Sequence, residues 1–507
     1  MMATEKGNGL PRGWARATIV DLIAPDGLFV DGDWVESKDQ DPNGSVRLIQ
    51  LADVGDGEYR NRSSRFLTSA KAKELGCTYL KADDAVIARM PDPLGRCCLF
   101  PGDAKPSVTV VDVCIIRTGD LGANHRWLMY AVNSPRFRAE IASHQSGSTR
   151  KRISRSNLAK LHLPVPPLPE QYRIVAKIEE LLTRLDAGVR ALNAIKTQLK
   201  RYRQSVLKSA FEGKLTAEWR EVHKGELEPA SVLLERIKQE RKKKLGNKYR
   251  ESPPVDASEL PELPEGWVWT TTGNVCSSVR DGTHDTPKYH REGIPLVTSK
   301  NLRDGVIDFS TTRNISLEDH EKIKIRSGVD PGDILFAMIG TVGNPVVVRT
   351  ERLFSIKNVG LFKKDEKAFV PEFVKYWFDS PVFTKALQEK YVKGTTQKFV
   401  PLENLRMLPV ALCSLSEQQQ IVLEIERCFS VTDAIERAVQ QSVTQSERLR
   451  QSILKRAFEG KLVPQDPSNE PAERLLERIK AERERMAEKG AKGRGIGKAR
   501  RGAKLGN

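Results

Sequence analysis

Catalysis needs a nucleophile, a cofactor cradle or a set of metal ligands, and the sequence offers only fragments of each. Gly343-Asn344-Pro345-Val346 lacks the second proline and the aromatic residue of an Asn/Asp-Pro-Pro-aromatic motif that grips a target base, and no glycine-rich SAM loop accompanies it. Glu212-Gly213-Lys214-Leu215 lacks the first glycine and the hydroxyl residue of the G-x4-G-K-[ST] loop that cradles phosphates. Asp365-Glu366-Lys367 has the look of a nuclease Glu-x-Lys pattern but reads as a charged surface turn. His284 and His290 with Asp281 and Asp285 can be drawn as a metal cluster, although their spacing suits a polar recognition loop better. The seven cysteines form no CxxC pair and read as buried free thiols. Cys97 and Cys98, as neighbours on an extended segment, should face opposite ways and share no metal. The expectation is a chain without a catalytic site, metal or cofactor of its own.

Binding is a different matter. A formal charge of +17 and a pI near 9.5 favour a polyanionic partner, because lysine and arginine that neutralise phosphates release condensed counterions. Nucleic acid leads, with an acidic membrane surface second. Reading DNA asks for donors on loops carried by a rigid scaffold. In the first half the candidates are Arg60, Arg62 and Arg65, with Asn61 between, then Arg150, Lys151, Arg152 and Arg155. In the second they are Arg280, His284, Lys288, Lys300, Asn301 and Arg303, with Lys393, Gln397 and Lys398. Lys151 and Lys398 stand at equivalent places of an internal repeat, which tilts Gly147–Arg155 and Gly394–Phe399 toward contact.

That repeat is the strongest architectural signal. Residues 204–215, Gln-Ser-Val-Leu-Lys-Ser-Ala-Phe-Glu-Gly-Lys-Leu, return as residues 451–462 with changes only at Val206/Ile453 and Ser209/Arg456. Glu170-Gln171 returns as Glu417-Gln418, and Leu233-Leu234-Glu235-Arg236-Ile237-Lys238 as Leu475-Leu476-Glu477-Arg478-Ile479-Lys480. Leu10-Pro11 with Gly13-Trp14 parallels Leu263-Pro264 with Gly266-Trp267. Between these anchors the two long segments share little beyond their entrance and exit.

The elements follow from periodicity. Ile174, Ile178, Leu181, Leu185, Leu192, Ile195 and Leu199 make a coiled-coil seam that misses one heptad position at Gly188. Ile421, Ile425, Cys428, Thr432, Ile435, Val439, Leu449 and Ile453 make a more polar second copy. Two such seams in one chain most simply pack on each other. Each helix should end at Gly213 or Gly460 as a C-cap, after roughly 60 Å. The segments before them carry short β-rich runs, such as residues 46–51, 108–113 and 333–337, separated by glycine-containing turns. Each closes on a helical stretch broken at a Ser-Pro step, Ser134-Pro135 and Ser380-Pro381. The fold class expected is α+β, two strand-rich domains each followed by a long helix.

With Pro167-Leu168-Pro169-Glu170-Gln171, Ser416-Glu417-Gln418-Gln419, the doubled Leu-Lys-x-Ala-Phe-Glu-Gly-Lys-Leu, Gly332-Asp333-Ile334-Leu335 and Gly394-Thr395-Thr396-Gln397-Lys398-Phe399, the chain resembles the specificity subunit of type I restriction–modification systems. The likeness runs over essentially the whole chain except the basic tail. In the first segment Asp83-Asp84-Ala85-Val86-Ile87 is only a degraded echo of its counterpart. The resemblance implies a pseudo-twofold molecule whose helices pack as an antiparallel coiled coil. Each target-recognition domain would read one half of a split double-stranded DNA target, while the helices set the gap. It also implies two adenine-N6 methyltransferase subunits docked on the helices, and ATP-driven restriction subunits, with SAM, ATP and Mg on those partners.

The expected division is a first recognition domain at 10–165, a central long-helix region at 168–242, a linker at 243–262, a second recognition domain at 263–412, a distal long-helix region at 415–488 and a basic disordered tail at 489–507. The start lacks the apolar core of a signal peptide and no long apolar run follows, so no membrane span and a cytoplasmic place are expected. Two other readings remain open at this point, a stand-alone nuclease or methyltransferase and a pure coiled-coil scaffold. Two divergent strand-rich domains speak against the scaffold.

Overall fold

The computed structural model describes residues 9–147, 150–251 and 253–502, without the side chains of Lys248 and of 490–502. The chain falls into two units, residues 1–192 with 441–507, and residues 193–440.

The strands of the first unit are β1 (Ala15–Thr18), β2 (Leu28–Asp31), β3 (Val46–Ile49), β4 (Phe66–Leu67), β5 (Ala85–Ala88), β6 (Cys97–Leu99), β7 (Ser107–Thr109), β8 (Val113–Arg117) and β9 (His162–Val165). They form a four-stranded sheet β2-β8-β5-β6, a three-stranded sheet β4-β3-β7 and the pair β1-β9. The four-stranded sheet is covered on both faces, so its strands read as apolar runs rather than alternating ones. Ala85, Ile87, Cys97, Cys114 and Ile116 enter one core with the helices, while Val86, Ala88, Cys98 and Val113 enter another. Cys97 and Cys98 thus face opposite ways, as the period of two requires.

The second unit's strands are β10 (Val268–Thr271), β11 (Ser278–Asp281), β12 (Ile294–Thr298), β13 (Leu302–Arg303), β14 (Val306–Ile307), β15 (Arg313–Ile315), β16 (Ile334–Ala337), β17 (Gly343–Val347), β18 (Ser355–Lys357), β19 (Val359–Lys363) and β20 (Pro409–Leu412). Their orders are β11-β19-β16-β17, β15-β12-β18 and β10-β20, with β13-β14 as an added hairpin. Apart from that hairpin the topology repeats the first unit's. Even the parallel strand pairing recurs, β3 with β7 and β12 with β18. The segments expected to share only entrance and exit therefore share their sheet plan. Little of it shows in sequence because strand pairing constrains apolarity and register rather than residue identity.

Both strand-rich domains close on a helix pair, His125–Val132 then Pro135–Ser143, and Pro371–Asp379 then Pro381–Ala386. The Ser-Pro step ends one helix and starts the next. Proline suits the first helical turn, and the serine Oγ accepts from Phe137 N at 3.4 Å and from Phe383 N at 3.2 Å.

The first long helix is Leu168–Phe211 and the second Leu415–Phe458, each of 44 residues, or about 66 Å. In the first unit Ile174, Ile178 and Leu182 share a core with Ile453, Leu454 and Phe458, and Asp186 pairs with Arg450. In the second, Lys196 meets Gln440 at 2.5 Å and Arg203 meets Thr432 at 3.1 Å, so the helices run antiparallel. Ile435 and Leu449, expected in the seam, are exposed. A helix drifts by about 20° per heptad against a strict 3.5-residue repeat, which carries such positions off the contact.

Each long helix ends in a Schellman motif. Gly213 N bonds to Ala210 O at 3.1 Å and Lys214 N to Ser209 O at 2.9 Å, and Gly460 N bonds to Ala457 O at 3.2 Å and Lys461 N to Arg456 O at 2.8 Å. The glycines sit at φ +67° and +68°, and a Cβ on either would collide with Pro264 or Pro11. A shorter helix then returns to the strand-rich domain, Ala230–Leu245 in the second unit and Ala472–Gly502 in the first. Lys243 and Lys244, expected to open the linker, belong to the first of these helices. The second continues through the basic segment for which disorder is expected, its alanine, lysine and arginine residues favouring a helix that its glycines oppose. Residues 503–507 lie outside those described.

Candidate nucleic-acid interface

Two loops stand out as matched pieces of backbone. Ser146 and Arg152 exchange both backbone hydrogen bonds, at 2.8 and 2.9 Å, and Lys393 and Phe399 do the same at 2.8 and 2.9 Å. Each bridge pinches off five residues, 147–151 and 394–398. Both loops open on a glycine with positive φ, +92° at Gly147 and +88° at Gly394. A Cβ there would strike the carbonyl oxygen of Arg150 or Gln397, so the tight turn admits glycine alone. Arg150 and Gln397 occupy the same loop position, followed by Lys151 and Lys398, and all four are exposed. Ser148 and Thr149 lie outside the described residues.

In the second unit this loop borders a cleft of about 670 Å³ lined by Tyr289, Lys300, Arg303, Arg313, Lys357 and Gln397, among others. Four of the expected residues, Lys300, Asn301, Arg303 and Gln397, therefore converge. The cleft is built by Asn301, whose buried side chain accepts from Thr298 N at 2.9 Å and donates to Asp308 O at 3.2 Å and Thr311 Oγ1 at 3.1 Å. Arg303 Nε donates to Lys300 O at 2.9 Å, which holds that basic turn together. Arg313, Lys357 and Asn358 also line the cleft but escaped the sequence reading. Arg313 lies over the Tyr289 ring at 4.7 Å, and Asn358 takes a positive φ of 52°, a conformation asparagine tolerates and other residues resist.

The other candidates are spread more widely. Arg280 donates to Arg326 O at 2.7 Å and Arg155 to Phe29 O at 2.9 Å, so both are tied into their own domains. Lys393 stands 3.6 Å from Glu403, Lys398 donates to Gln388 at 3.2 Å and Arg65 to Gln40 at 3.0 Å. Arg60, Arg62, Arg152 and Lys288 are exposed. In the first unit Asp53 holds the arginine-bearing stretch by accepting from Arg62 N at 2.6 Å and Ser63 N at 2.7 Å. Asp53 and Asn301 are matched in their turns, each ending a short 3-10 turn with a capping box.

The residues that could have suggested chemistry have structural partners instead. His284 bonds Asp281 at 2.8 Å and Asn358 at 2.9 Å, and Asp281 also takes Arg326 at 2.5 Å. Asp365 accepts from Arg241 at 3.4 Å. Burial pushes the Cys97, Cys114 and Cys413 thiols well above the usual range, where they are poor nucleophiles. Among the described residues no group of three or more His, Cys, Asp or Glu side chains is placed to hold a metal ion, and no helix is long and apolar enough to cross a membrane.

Each domain is held to the helices by the repeated Glu-Gln. Gln171 accepts from Asn124 N at 2.9 Å and donates to Pro166 O at 3.0 Å, and Gln418 accepts from Val370 N at 2.9 Å and donates to Cys413 O at 3.0 Å. Asn124 and Val370 are the N-caps of equivalent domain helices, so each glutamine satisfies a cap amide that would otherwise be orphaned.

The family model described as "Type I restriction modification DNA specificity domain" matches residues 99–201. The chain is 30% identical over 394 residues to the type I restriction enzyme EcoBI specificity subunit of Escherichia coli, spanning 75% of this chain and 76% of that protein. It is 26% identical over 372 residues to the EcoKI specificity subunit of Escherichia coli strain K12, spanning 70% and 71%. Among solved structures it is similar to the HsdS subunit from Thermoanaerobacter tengcongensis, with a TM-score of 0.51 at 19% identity over 90% of this chain and 100% of that one. A chain from a structure of a type I R-M system gives a TM-score of 0.58 at 18% identity over 89% and 99%.

Proposed function

The chain belongs to the family of type I restriction enzyme specificity subunits, and on that premise we propose that it is the non-catalytic member that chooses the DNA sequence on which its complex acts. Each recognition domain reads one half of a bipartite double-stranded target. The observation that carries this reading is the pair of pinched loops, one per domain, identical in backbone closure and each ending in a lysine. They offer a phosphate-binding lysine next to a position that differs, arginine in one domain and glutamine in the other. Phosphate contacts position a protein on the duplex, while arginine and glutamine side chains can read base edges.

The cleft of the second domain adds Lys300, Arg303, Arg313 and Lys357, a cationic concavity suited to a phosphate backbone. The long helices set the distance between the half-sites and dock two methyltransferase subunits, which supply SAM and the adenine-N6 transfer. Restriction subunits supply ATP hydrolysis and cleavage. On this reading the complex works in the cytoplasm, beside the chromosome.

Mapping N6-methyladenine across the host genome with and without this protein tests the reading. A split, asymmetric motif that disappears with the protein is the expected result. Exchanging residues 12–160 for another family member's segment should then alter one half of the motif and keep the other. Alteration of both halves, or of neither, would overturn the assignment, as would methyl transfer or cleavage by the purified chain alone.

A further inference from the structure

The returning helices make an equivalent contact in the two units that the sequence does not advertise. In the first unit Ala472 N donates to Gly13 O at 2.9 Å, and in the second Ala230 N donates to Gly266 O at 2.9 Å. Eleven residues further along each helix stands an arginine, Arg483 and Arg241. Arg483 donates from Nε to Ile23 O at 2.9 Å and from Nη2 to Val20 O. Arg241 donates from Nη1 to Gly273 O at 2.9 Å and from Nη2 to Cys276 O at 2.5 Å. The acceptors match residue for residue, since Val20 and Ile23 follow Gly13 at the same intervals as Gly273 and Cys276 follow Gly266. In both units one guanidinium bridges two carbonyls, three residues apart, of the short helical turn that follows the first strand.

A two-point contact restrains rotation as well as distance. The recognition domain also meets the long helices where its entrance and exit strands pair, as β1-β9 and β10-β20, at the Gln171 and Gln418 cap contacts, and through Trp127 against Phe458 and Trp377 against Phe211. The arginine acts about 16 Å along the returning helix from the Gly13 or Gly266 contact, far enough to hold the domain against turning. The guanidinium suits the task because its planar fork stays charged and meets two acceptors at once.

We propose that Arg241 and Arg483 are positioning residues that fix how each recognition domain is turned on its helices, and through this the half-site spacing the complex accepts. The proposal rests on the specificity-subunit reading above. The test uses the full chain assembled with its methyltransferase subunits and synthetic duplexes carrying the mapped motif at its native spacing, one base pair longer and one shorter. The readout is the ratio of methylation rates between native and altered spacing, which cancels the amount of active complex.

Arg483→Ala and Arg241→Ala should each lower that ratio by about tenfold, the scale of losing one double hydrogen-bonded contact, while the half-site sequences stay the same. Arg483→Lys, able to reach one carbonyl at a time, should fall between. An unchanged ratio, or an equal loss of rate on all three duplexes, overturns the proposal. Should the alanine forms fail to accumulate, Arg483→Gln and Arg241→Gln take their place in the same assay, where a lowered ratio supports the proposal and an unchanged one overturns it. Absence of any bipartite motif in the genome map would count against the functional reading itself, whereas a mapped motif with an unaltered ratio removes only the arginines' role.

Discussion

The indole Nε1 of Trp14 donates to the buried carboxylate of Glu170 at 3.1 Å. Trp267 does the same for Glu417 at 2.9 Å, but the two carboxylates are not equally provided for. Glu417 also accepts from Arg220 at 2.7 Å and from Thr216 at 3.0 Å, while Glu170 has the charge of Arg173 nearby. Removing one donor should therefore cost more in the first unit. Trp14→Phe should destabilise by about 2–3 kcal/mol, the penalty for stranding a buried charged acceptor, and Trp267→Phe by about 1 kcal/mol less. Urea unfolding of the two variants measures this, and equal losses would refute the asymmetry.

The same difference carries a pH dependence. Burial raises the Glu170 carboxyl above the usual glutamate range, opposed only in part by the Trp14 hydrogen bond and by Arg173. In the window between the ordinary and the raised value, the folded chain binds more protons than the unfolded one. Stability therefore falls as pH rises through that window, and the penalty is complete above it. Glu170→Gln keeps an acceptor for the indole and removes the ionisation. Its melting temperature should change less with pH than the parent's over that window, and identical slopes would show that Glu170 contributes nothing.

What can be read from sequence follows from how local each constraint is. Gly213 and Gly460 are legible because only a left-handed residue completes a helix stop followed by Lys-Leu, and the Ser-Pro steps because proline cannot continue a helix. The shared sheet plan is not legible. Its partners, such as β5 with β8, lie far apart in sequence, and burial of both faces erases the alternation that marks a strand. Arg241 is hidden in a lysine-rich run that has the composition of a linker, and its role rests on carbonyl groups, which leave no trace in a sequence. Lys300, Arg303 and Gln397 can be named as donors, but their convergence with Arg313 and Lys357 depends on tertiary structure.

Gly213 and Gly460 are constrained twice, by φ of +67° and +68° and by the close approach of Pro264 and Pro11. The left-handed conformation alone costs an alanine about 1–2 kcal/mol, and its methyl group must also displace a proline ring. Gly460→Ala should therefore lose about 2 kcal/mol or more. Relaxing the proline contact with Pro11→Ala should return part of that loss in the double variant. Additive single effects in a double-mutant cycle would show that the two residues do not interact as described.

Lys151 and Lys398 close the pinched loops at equivalent positions, and both side chains are exposed. Lys398 now donates to Gln388 at 3.2 Å, an exposed hydrogen bond of small net value. If each lysine neutralises one phosphate, Lys151→Ala and Lys398→Ala should each reduce the slope of log affinity against log salt by about 1 for the assembled complex on its target duplex. Affinity for unrelated duplexes should fall in parallel, because a phosphate contact carries no sequence information. Gln397→Ala should behave differently, leaving the slope unchanged and relaxing preference at one base pair by about 1–3 kcal/mol. Fluorescence anisotropy over a salt series separates the two outcomes. A Gln397 variant that shifts the slope, or lysine variants that change base preference, would reverse the division of labour within the loop.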